Sequence, residues 1–328
     1  MRYVVYGTGA VGGVIGGNLH LAGVPVTLVA RGEHLARIRA DGLTLDREDG
    51  RHRVDAPATD TAAGVSWTDD TVVLLCVKGH QTPAALDDLR AHAPAGTAVV
   101  CAQNGVANER AVLRGFAAAY AVCVMLPAAH LEPGLVVQKC HPTPGILDIG
   151  RVPDGVDERA EAVAADLRRG GFESVPRADI MAWKHRKLLM NLANGVDATC
   201  VPGPAADELV QRAQGEGEEV LRRAGIAVVS AADDRERRGD TLRRRAHLPL
   251  EAGGSTWQSV ARGGSGVEID YLAGEIVVLA RLYGVPAPVN EAVQRAVHDL
   301  VRAGGAPRTL DAATLLRDHA DPPETHHK

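Results

Sequence analysis

The chain has 328 residues, enough for about two domains of the usual ~150 residues, each with its own core. Hydrophobic residues make up 45% and charged residues 23%, which excludes a chain disordered throughout. A net charge of −5 with no long basic stretch and only 3% aromatic residues excludes a general nucleic-acid binder, and no run of 18 apolar residues exists to span a membrane.

The first six residues lead straight into glycines, leaving no room for a signal peptide. The five cysteines, Cys76, Cys101, Cys123, Cys140 and Cys200, are scattered and form no C-x-x-C pair. Neither a disulfide framework nor a zinc site is expected, and a reducing cytoplasmic compartment fits. His80, His130 and His185 stand alone, so no metal is assigned.

Along the first half, residues 3–6, 24–30, 71–77, 97–101 and 121–125 read as strands, apolar on both sides of the pleat. Helical patterns at 11–22, 33–41, 82–91 and 108–116 fall between them. This alternation predicts a parallel sheet with right-handed crossovers. Residues 135–139 and 145–149 read as a closing hairpin or meander, 157–170 as a charged amphipathic helix and 172–175 as a last strand. Beyond Pro176 the pattern becomes helical, at 181–198, 205–224, 256–262, 268–283 and 290–303. The charge-dense stretch 233–245 reads as an exposed helix or loop, and 321–328 as a frayed tail. The expected fold is α/β: a Rossmann-like parallel-sheet domain at 1–177, an all-α domain at 178–308 and a C-terminal segment at 309–328.

The first strand runs into Gly7-Thr8-Gly9-Ala10-Val11-Gly12, a G-x-G-x-x-G that opens a helix. The glycines permit a tight turn, close approach of a pyrophosphate and close packing of helix on strand, while the helix N-terminus offers N–H groups to the anion. The plain alternative is an ordinary glycine-rich turn. The next strand ends at Ala30-Arg31-Gly32, where an NAD enzyme carries an acidic residue for the ribose. Arg31 can pair with a 2′-phosphate, so NADP(H) is expected over NAD(H); the alternative is an exposed arginine that starts a helix.

Together with VKGHQ (77–81), QNGVANE (103–109), KLLMN (187–191) and the segment from Glu268 to Asn290, the opening GTGAVGGVIG resembles the ketopantoate reductase family over residues 1 to 304. The resemblance implies a Rossmann domain followed by a helical domain, NADPH as cofactor and reduction of a 2-oxo acid to a 2-hydroxy acid. The expected reaction converts 2-dehydropantoate to pantoate in pantothenate and CoA biosynthesis. The expected partner is a small 2-oxo acid, and a homodimer is compatible with the chain.

Such a reduction develops an alkoxide that needs charge stabilisation and a proton. Lys187 opens the run Lys187-Leu188-Leu189-Met190-Asn191-Leu192-Ala193-Asn194. On one continuous helix Asn191 would lie about 40° from Lys187 and Asn194 about 20° on the other side, a narrow polar stripe. Plain amphipathicity is the alternative, although asparagine suits a mid-helix surface poorly. The resemblance makes Lys187 the general acid, with Asn191 and Asn194 binding substrate. Many relatives place the second asparagine eight residues after the lysine, where this chain has Gly195. Lys184 is a rival for the acid.

By resemblance, Lys78 lies near the cofactor phosphates, and Asn104 bonds substrate or ribose. On residues alone, Lys78 is a common strand-end lysine and Asn104-Gly105 a turn. The resemblance also assigns Ser255 to the substrate carboxylate and Glu268 to the nicotinamide ribose and the catalytic hydrogen-bond network. On residues alone Glu268 is an acid favoured at a helix N-terminus. Two other functions stay open: a family member that reduces a different 2-oxo acid in specialised metabolism, and a non-catalytic NADP(H) sensor.

Overall fold

Valine-rich strands that are apolar on both sides of the pleat need cover on both faces, and the chain supplies it by alternating strand and helix. The structure is a computed structural model that describes residues 1–248, 253–261, 263 and 266–318; the expected frayed tail lies outside the described residues. In chain order come β1 (Arg2–Tyr6), α1 (Ala10–Leu21), β2 (Val26–Val29), α2 (Gly32–Asp41), β3 (Leu43–Arg47), β4 (Gly50–Val54) and β5 (Ala58–Thr59). Then follow β6 (Thr71–Leu75), α3 (Thr82–His92), β7 (Ala98–Cys101), α4 (Asn108–Leu113) and β8 (Ala119–Met125). The half closes with β9 (Ala128–Glu132), β10 (Leu135–Gln138), β11 (Ile146–Arg151) and α5 (Glu158–Arg169).

Among the described residues the main sheet has the order β11-β8-β7-β6-β1-β2-β5. It is parallel except for β11, which runs antiparallel to β8. The strand order reverses between β1 and β6, and in such sheets ligands bind outside the carboxyl ends of the strands at that point. A second sheet, β4-β3-β10-β9, packs on the other side of α1. Glycines on two faces of α1 let it fit between the sheets. A Cβ at Gly16 would lie 2.9 Å from Val5 of β1, and one at Gly13 would lie 2.6 Å from Val136 of β10.

The structure corrects the expected hairpin of 135–139 with 145–149, since these strands belong to different sheets. Leu135–Gln138 alternates in burial, as a sheet covered on one face requires. Ile146–Arg151 is buried on both faces and lies under α5. The expected strand at 172–175 makes only single bridges beside β11, through Glu173 and Pro176. The second sheet was not anticipated. Its β4 reads Gly-Arg-His-Arg-Val, where charge conceals the strand.

The chain divides into two units inside α6 (Ile180–Asn191), between Lys184 and His185, a few residues beyond the expected boundary at Arg177. The second unit contains α7 (Ala193–Thr199) and α8 (Pro204–Arg223), while α9 (Ala231–Arg238) belongs to the first. The second unit continues with α10 (Ser255–Ala261), α11 (Ala273–Tyr283), α12 (Pro288–Arg302) and α13 (Ala312–Asp318). Its core is aliphatic, with Leu209, Val220, Ile276, Val293 and Val297 buried. The Glu216 carboxylate of α8 accepts the Val289 and Asn290 N–H groups at 2.8 and 2.9 Å, capping α12 across the helix pair.

Residues 229–248 return to the first unit, so the stretch 233–245 is not simply exposed. Arg237 donates twice to the buried Asp148, at 2.8 and 2.7 Å. Arg245 is 4% exposed and donates to Asp46 Oδ1 (2.8 Å), Glu48 Oε2 (3.1 Å) and the Gln138 carbonyl (2.7 Å). Replacing Arg245 with Ala leaves these acceptors without their donor. It should lower unfolding free energy by about 2–4 kcal/mol, read by urea denaturation.

Candidate active site

The loop after β1 is shaped before any ligand arrives. Gly7 has φ +104°, and a Cβ there would meet the Val77 amide nitrogen at 2.7 Å. The Gly7 and Thr8 N–H groups and the Thr8 hydroxyl all donate to the Val29 carbonyl, at 3.1, 3.0 and 3.0 Å, which ties the loop to the end of β2. Gly9 faces open space, and α1 begins there with Gly13 N–H donating to the Gly9 carbonyl at 2.7 Å. Gly12 packs on Val5, Cys76 and the Gly7 carbonyl, so Ala10 and Val11 form a first turn held on both sides. No acidic residue occupies that turn, which suits a phosphate.

His34 was not anticipated. Its Nδ1 accepts Gly134 N–H at 2.8 Å, so its proton sits on Nε2, which donates to the Thr8 carbonyl at 2.6 Å. The neutral ring thus clasps the loop to the turn between β9 and β10. Burial lowers its pKa, against the hydrogen bond to Thr8. No local pattern marks this residue in the sequence, since both partners are backbone groups, one of them 100 residues away.

Arg31 stands exposed at the end of β2, at the N-cap of α2. Lys78 precedes a short 3₁₀ turn, Gly79–Gln81, and its N–H donates to Gln81 Oε1 at 3.2 Å. A buried network joins the loops after β6 and β7. Gln103 Nε2 donates to the Val77 carbonyl (2.7 Å) and to Thr82 Oγ1 (2.9 Å), and Thr82 donates to Asn108 (2.8 Å). Asn108 in turn donates to the Asn104 carbonyl at 3.3 Å. Lys184 is committed to this network. Its ammonium, 3% exposed, lies 2.5 Å from the fully buried Glu109 and donates to the Gln103 carbonyl at 2.9 Å. That placement argues against the rival acid.

The remaining residues belong to the helical unit. Lys187 and Asn191 lie one turn apart on α6. The expected continuous helix at 181–198 breaks at Leu192, whose N–H reaches back only to Leu189, and α7 starts at Ala193. Asn194, in the first turn of α7, donates to Ser255 Oγ at 3.4 Å, so two predicted substrate residues meet. The Gly254 N–H donates to Asp197 of α7 at 2.6 Å and fixes the start of α10 beside them. Glu268 does not open a helix as expected. It precedes a 3₁₀ turn, Ile269–Tyr271, and α11 begins only at Ala273. The predicted residues therefore form two sets. Gly7, Thr8, Gly9, Ala10, Val11, Gly12, Arg31, Lys78 and Asn104 lie at the carboxyl edge of the sheet, and Lys187, Asn191, Asn194, Ser255 and Glu268 lie in the helical unit. Among the described residues no cluster of His, Cys, Asp or Glu could hold a metal ion, and no helix is long and apolar enough to cross a membrane.

The family described as Ketopantoate reductase PanE/ApbA matches residues 3–154, and its C-terminal counterpart matches residues 179–301. The chain belongs to the ketopantoate reductase family. It is 32% identical over 317 residues to the 2-dehydropantoate 2-reductase of Halobacterium salinarum, covering 92% of this chain and 98% of that one. The 2-dehydropantoate 2-reductase of Pyrococcus horikoshii is 28% identical, covering 88% and 94%. The crystal structure of a PanE/ApbA family ketopantoate reductase from Ralstonia eutropha JMP134 superposes with a TM-score of 0.79 at 27% identity, covering 93% and 99%. D-mandelate dehydrogenase, solved with NADH and anilino(oxo)acetate, shares the fold at TM-score 0.79 and 22% identity, covering 93% and 99%. As a ketopantoate reductase family member, the chain is an oxidoreductase acting on CH–OH groups.

Position 195 is sterically restricted. A Cβ at 195 would lie 2.5 Å from Val293 Cγ1 and 3.0 Å from Ile269 Cδ1, so the buried helix face admits no side chain there. The asparagine sits one residue earlier.

His34 gives the loop a pH dependence. Its folded pKa lies below its ordinary 6.5, so as pH falls through that value the unfolded chain gains a proton that the folded one refuses. Stability should decline as the pH falls below about 6.5, and protonation removes the Nδ1 acceptor for Gly134. His34→Gln should flatten that part of the stability profile in thermal melts across pH; an unchanged slope would count against the clasp.

Proposed function

We propose that this chain reduces 2-dehydropantoate to pantoate with NADPH, in the cytoplasm and on the pantothenate route to CoA. The observation that carries the reading is the polar set Lys187, Asn191, Asn194, Ser255 and Glu268, in a chain that spans 98% of a 2-dehydropantoate 2-reductase at 32% identity. The residues present fit a dinucleotide. Gly9 leaves open space for a pyrophosphate, the first turn of α1 carries no acid, and Arg31 stands where an NAD enzyme has a carboxylate.

NADPH, when bound, supplies the hydride that reaches C2 of the oxo acid. The protein then has to stabilise and protonate the resulting alkoxide. Lys187 donates the proton from its ammonium group. Asn191 and Asn194 hold the substrate's oxygens by hydrogen bonds, and the Ser255 hydroxyl, already against Asn194, binds the carboxylate. Asn104 bonds substrate or ribose, Lys78 faces the phosphates and Glu268 orders the ribose and its hydrogen bonds.

A second reading, reduction of a different 2-oxo acid, is favoured by the shift of the second asparagine to position 194. Rates with a panel of 2-oxo acids, aryl ones included, separate the two, and 2-dehydropantoate should be the best substrate by kcat/KM. A flat NADPH-oxidation trace on every oxo acid would leave a non-catalytic cofactor sensor.

Replacing Arg31 with Ala should weaken NADPH about 10- to 100-fold while leaving NADH nearly unchanged, since a charge-assisted contact to phosphate contributes roughly 1.5–3 kcal/mol. Equal loss for both cofactors would remove Arg31 from phosphate recognition. Binding titrations decide.

Replacing Lys187 with Ala should lower kcat by ~10²–10⁴ with NADPH affinity almost unchanged, because the ammonium matters most as the alkoxide forms. Lys184→Ala should act differently. It strands Glu109 in the interior and should lower unfolding free energy by about 3–5 kcal/mol. A folded Lys184→Ala enzyme that lost more kcat than Lys187→Ala would reverse the assignment.

A further inference from the structure

The segment that carries Ser255 is gripped by a side chain that no step of the proposed reaction uses. Asp197 lies one turn after Asn194 on α7, and both oxygens of its carboxylate are engaged. Oδ2 accepts Gly254 N–H at 2.6 Å, and Oδ1 accepts the Arg308 guanidinium at 2.5 Å. Arg308 Nε also donates to the Asp197 carbonyl at 3.3 Å, so its planar fork holds side chain and backbone together. The backbone before Ser255 has no slack. A Cβ at Gly253 would overlap the Trp257 ring and lie 2.8 Å from Asp197 Oδ2, and one at Gly254 would lie 3.2 Å from Asn194 Oδ1. Arg308 is itself fixed. It takes the left-handed backbone (φ +60°), which side chains other than glycine rarely adopt. Its N–H donates to the Ala198 carbonyl at 3.0 Å, and Leu310 N–H donates to the Thr199 carbonyl at 2.9 Å. Its guanidinium also stands 5.9 Å from the Trp257 ring of α10. Such a conformation persists where surrounding contacts impose it, and here they bring the guanidinium to Asp197. Arg308 lies beyond residue 301, where the family match ends.

We propose that Asp197 and Arg308 are positioning residues for the substrate carboxylate: Asp197 holds the Gly254 backbone so that the Ser255 hydroxyl faces the oxo acid, and Arg308 holds Asp197. The inference rests on the role of Ser255 proposed above and adds what fixes that hydroxyl. Asn194 and Asp197 share one face of α7 at i, i+3 spacing, so they grip residues 254 and 255 from the same side. A hydroxyl already held in place binds an anion at less cost in ordering.

The test is calorimetric titration of 2-dehydropantoate, with steady-state rates alongside, on the full chain carrying Ser255→Ala, Asp197→Ala, Arg308→Ala or the Asp197→Ala, Ser255→Ala pair. Asp197→Ala should weaken the oxo acid about 3- to 10-fold and raise KM to match, with kcat and NADPH affinity nearly unchanged. On the Ser255→Ala background it should change nothing further, because the hydroxyl it positions is gone. Arg308→Ala should act in the same direction. Asp197→Asn and Arg308→Lys, which keep shape or charge, should lose less, and they carry the comparison where the alanine variants do not fold. The sign discriminates. If Asp197 acts only as a charge that repels the substrate, Asp197→Ala raises oxo-acid affinity, and the proposal is overturned. A loss that persists in full on the Ser255→Ala background, or that reaches kcat and NADPH equally, would show a purely structural role and also overturn it. If Ser255→Ala weakens the oxo acid and the other variants leave it unchanged, the positioning role fails and the reading of Ser255 stands. If Ser255→Ala leaves oxo-acid affinity unchanged, that reading fails and takes this inference with it.

Discussion

Where strand order reverses, the backbone at Gly7 lies against the backbone at Val77 with no room for a Cβ between them. That approach brings the loop after β1 and the loop after β6 to one crevice, and three donors from the first loop converge on the Val29 carbonyl to hold it. The loop's shape therefore follows from the packing of three strand ends. An anion arriving there meets N–H groups already oriented, so little ordering entropy opposes binding. Glycines on two faces of α1 extend the same constraint, because a helix with side chains on both faces could not fit between two sheets.

What was legible in the sequence follows from period. Strands β1, β2, β6, β7 and β8 are short β-branched runs, and the helices between them repeat at helical spacing, so local pattern sufficed. The Gly-x-Gly-x-x-Gly could be read because its strand and helix flank it directly. The second sheet could not be read this way. It pairs β3 with β10, some ninety residues apart, and its β4 is mostly charged. The pairing of residues 243–245 beside β10 and the His34 clasp depend on backbone partners far along the chain. Such contacts leave no trace in a window of ten residues.

Charge in the interior was the harder half of the problem. Arg237 and Arg245 read as exposed charge and Lys184 as a rival acid, yet the structure buries Lys184 with Glu109, and pairs Arg237 with Asp148 and Arg245 with Asp46. Burying such pairs is expensive unless further hydrogen bonds satisfy them. Here two of the three cations also place chain: Lys184 holds the carbonyl before Asn104, and Arg245 holds the carbonyls of Gln138 and Asp46. These pairs fix where segments lie more than they add stability, which is why polarity by itself misassigned the stretch 233–245.

At the break at Leu192 a packing constraint meets a cluster of polar side chains. Val293 and Ile269 press on the face of α7 that position 195 occupies, so only glycine fits there. The tightened step at Leu192 resets the phase, and Asn194, one residue earlier, meets Ser255. The azimuth calculated for an unbroken helix put Asn194 near Lys187, but the contact that orders it comes from α10, an element some sixty residues on. The Asn194–Ser255 contact is thus coupled to core packing on the same short helix. Relaxing Val293 to a smaller residue makes space at 195 without supplying a hydrogen bond, whereas altering Ser255 removes the partner that orients Asn194. The two changes touch the same turn from opposite sides, and only the second removes a hydrogen-bond partner of Asn194.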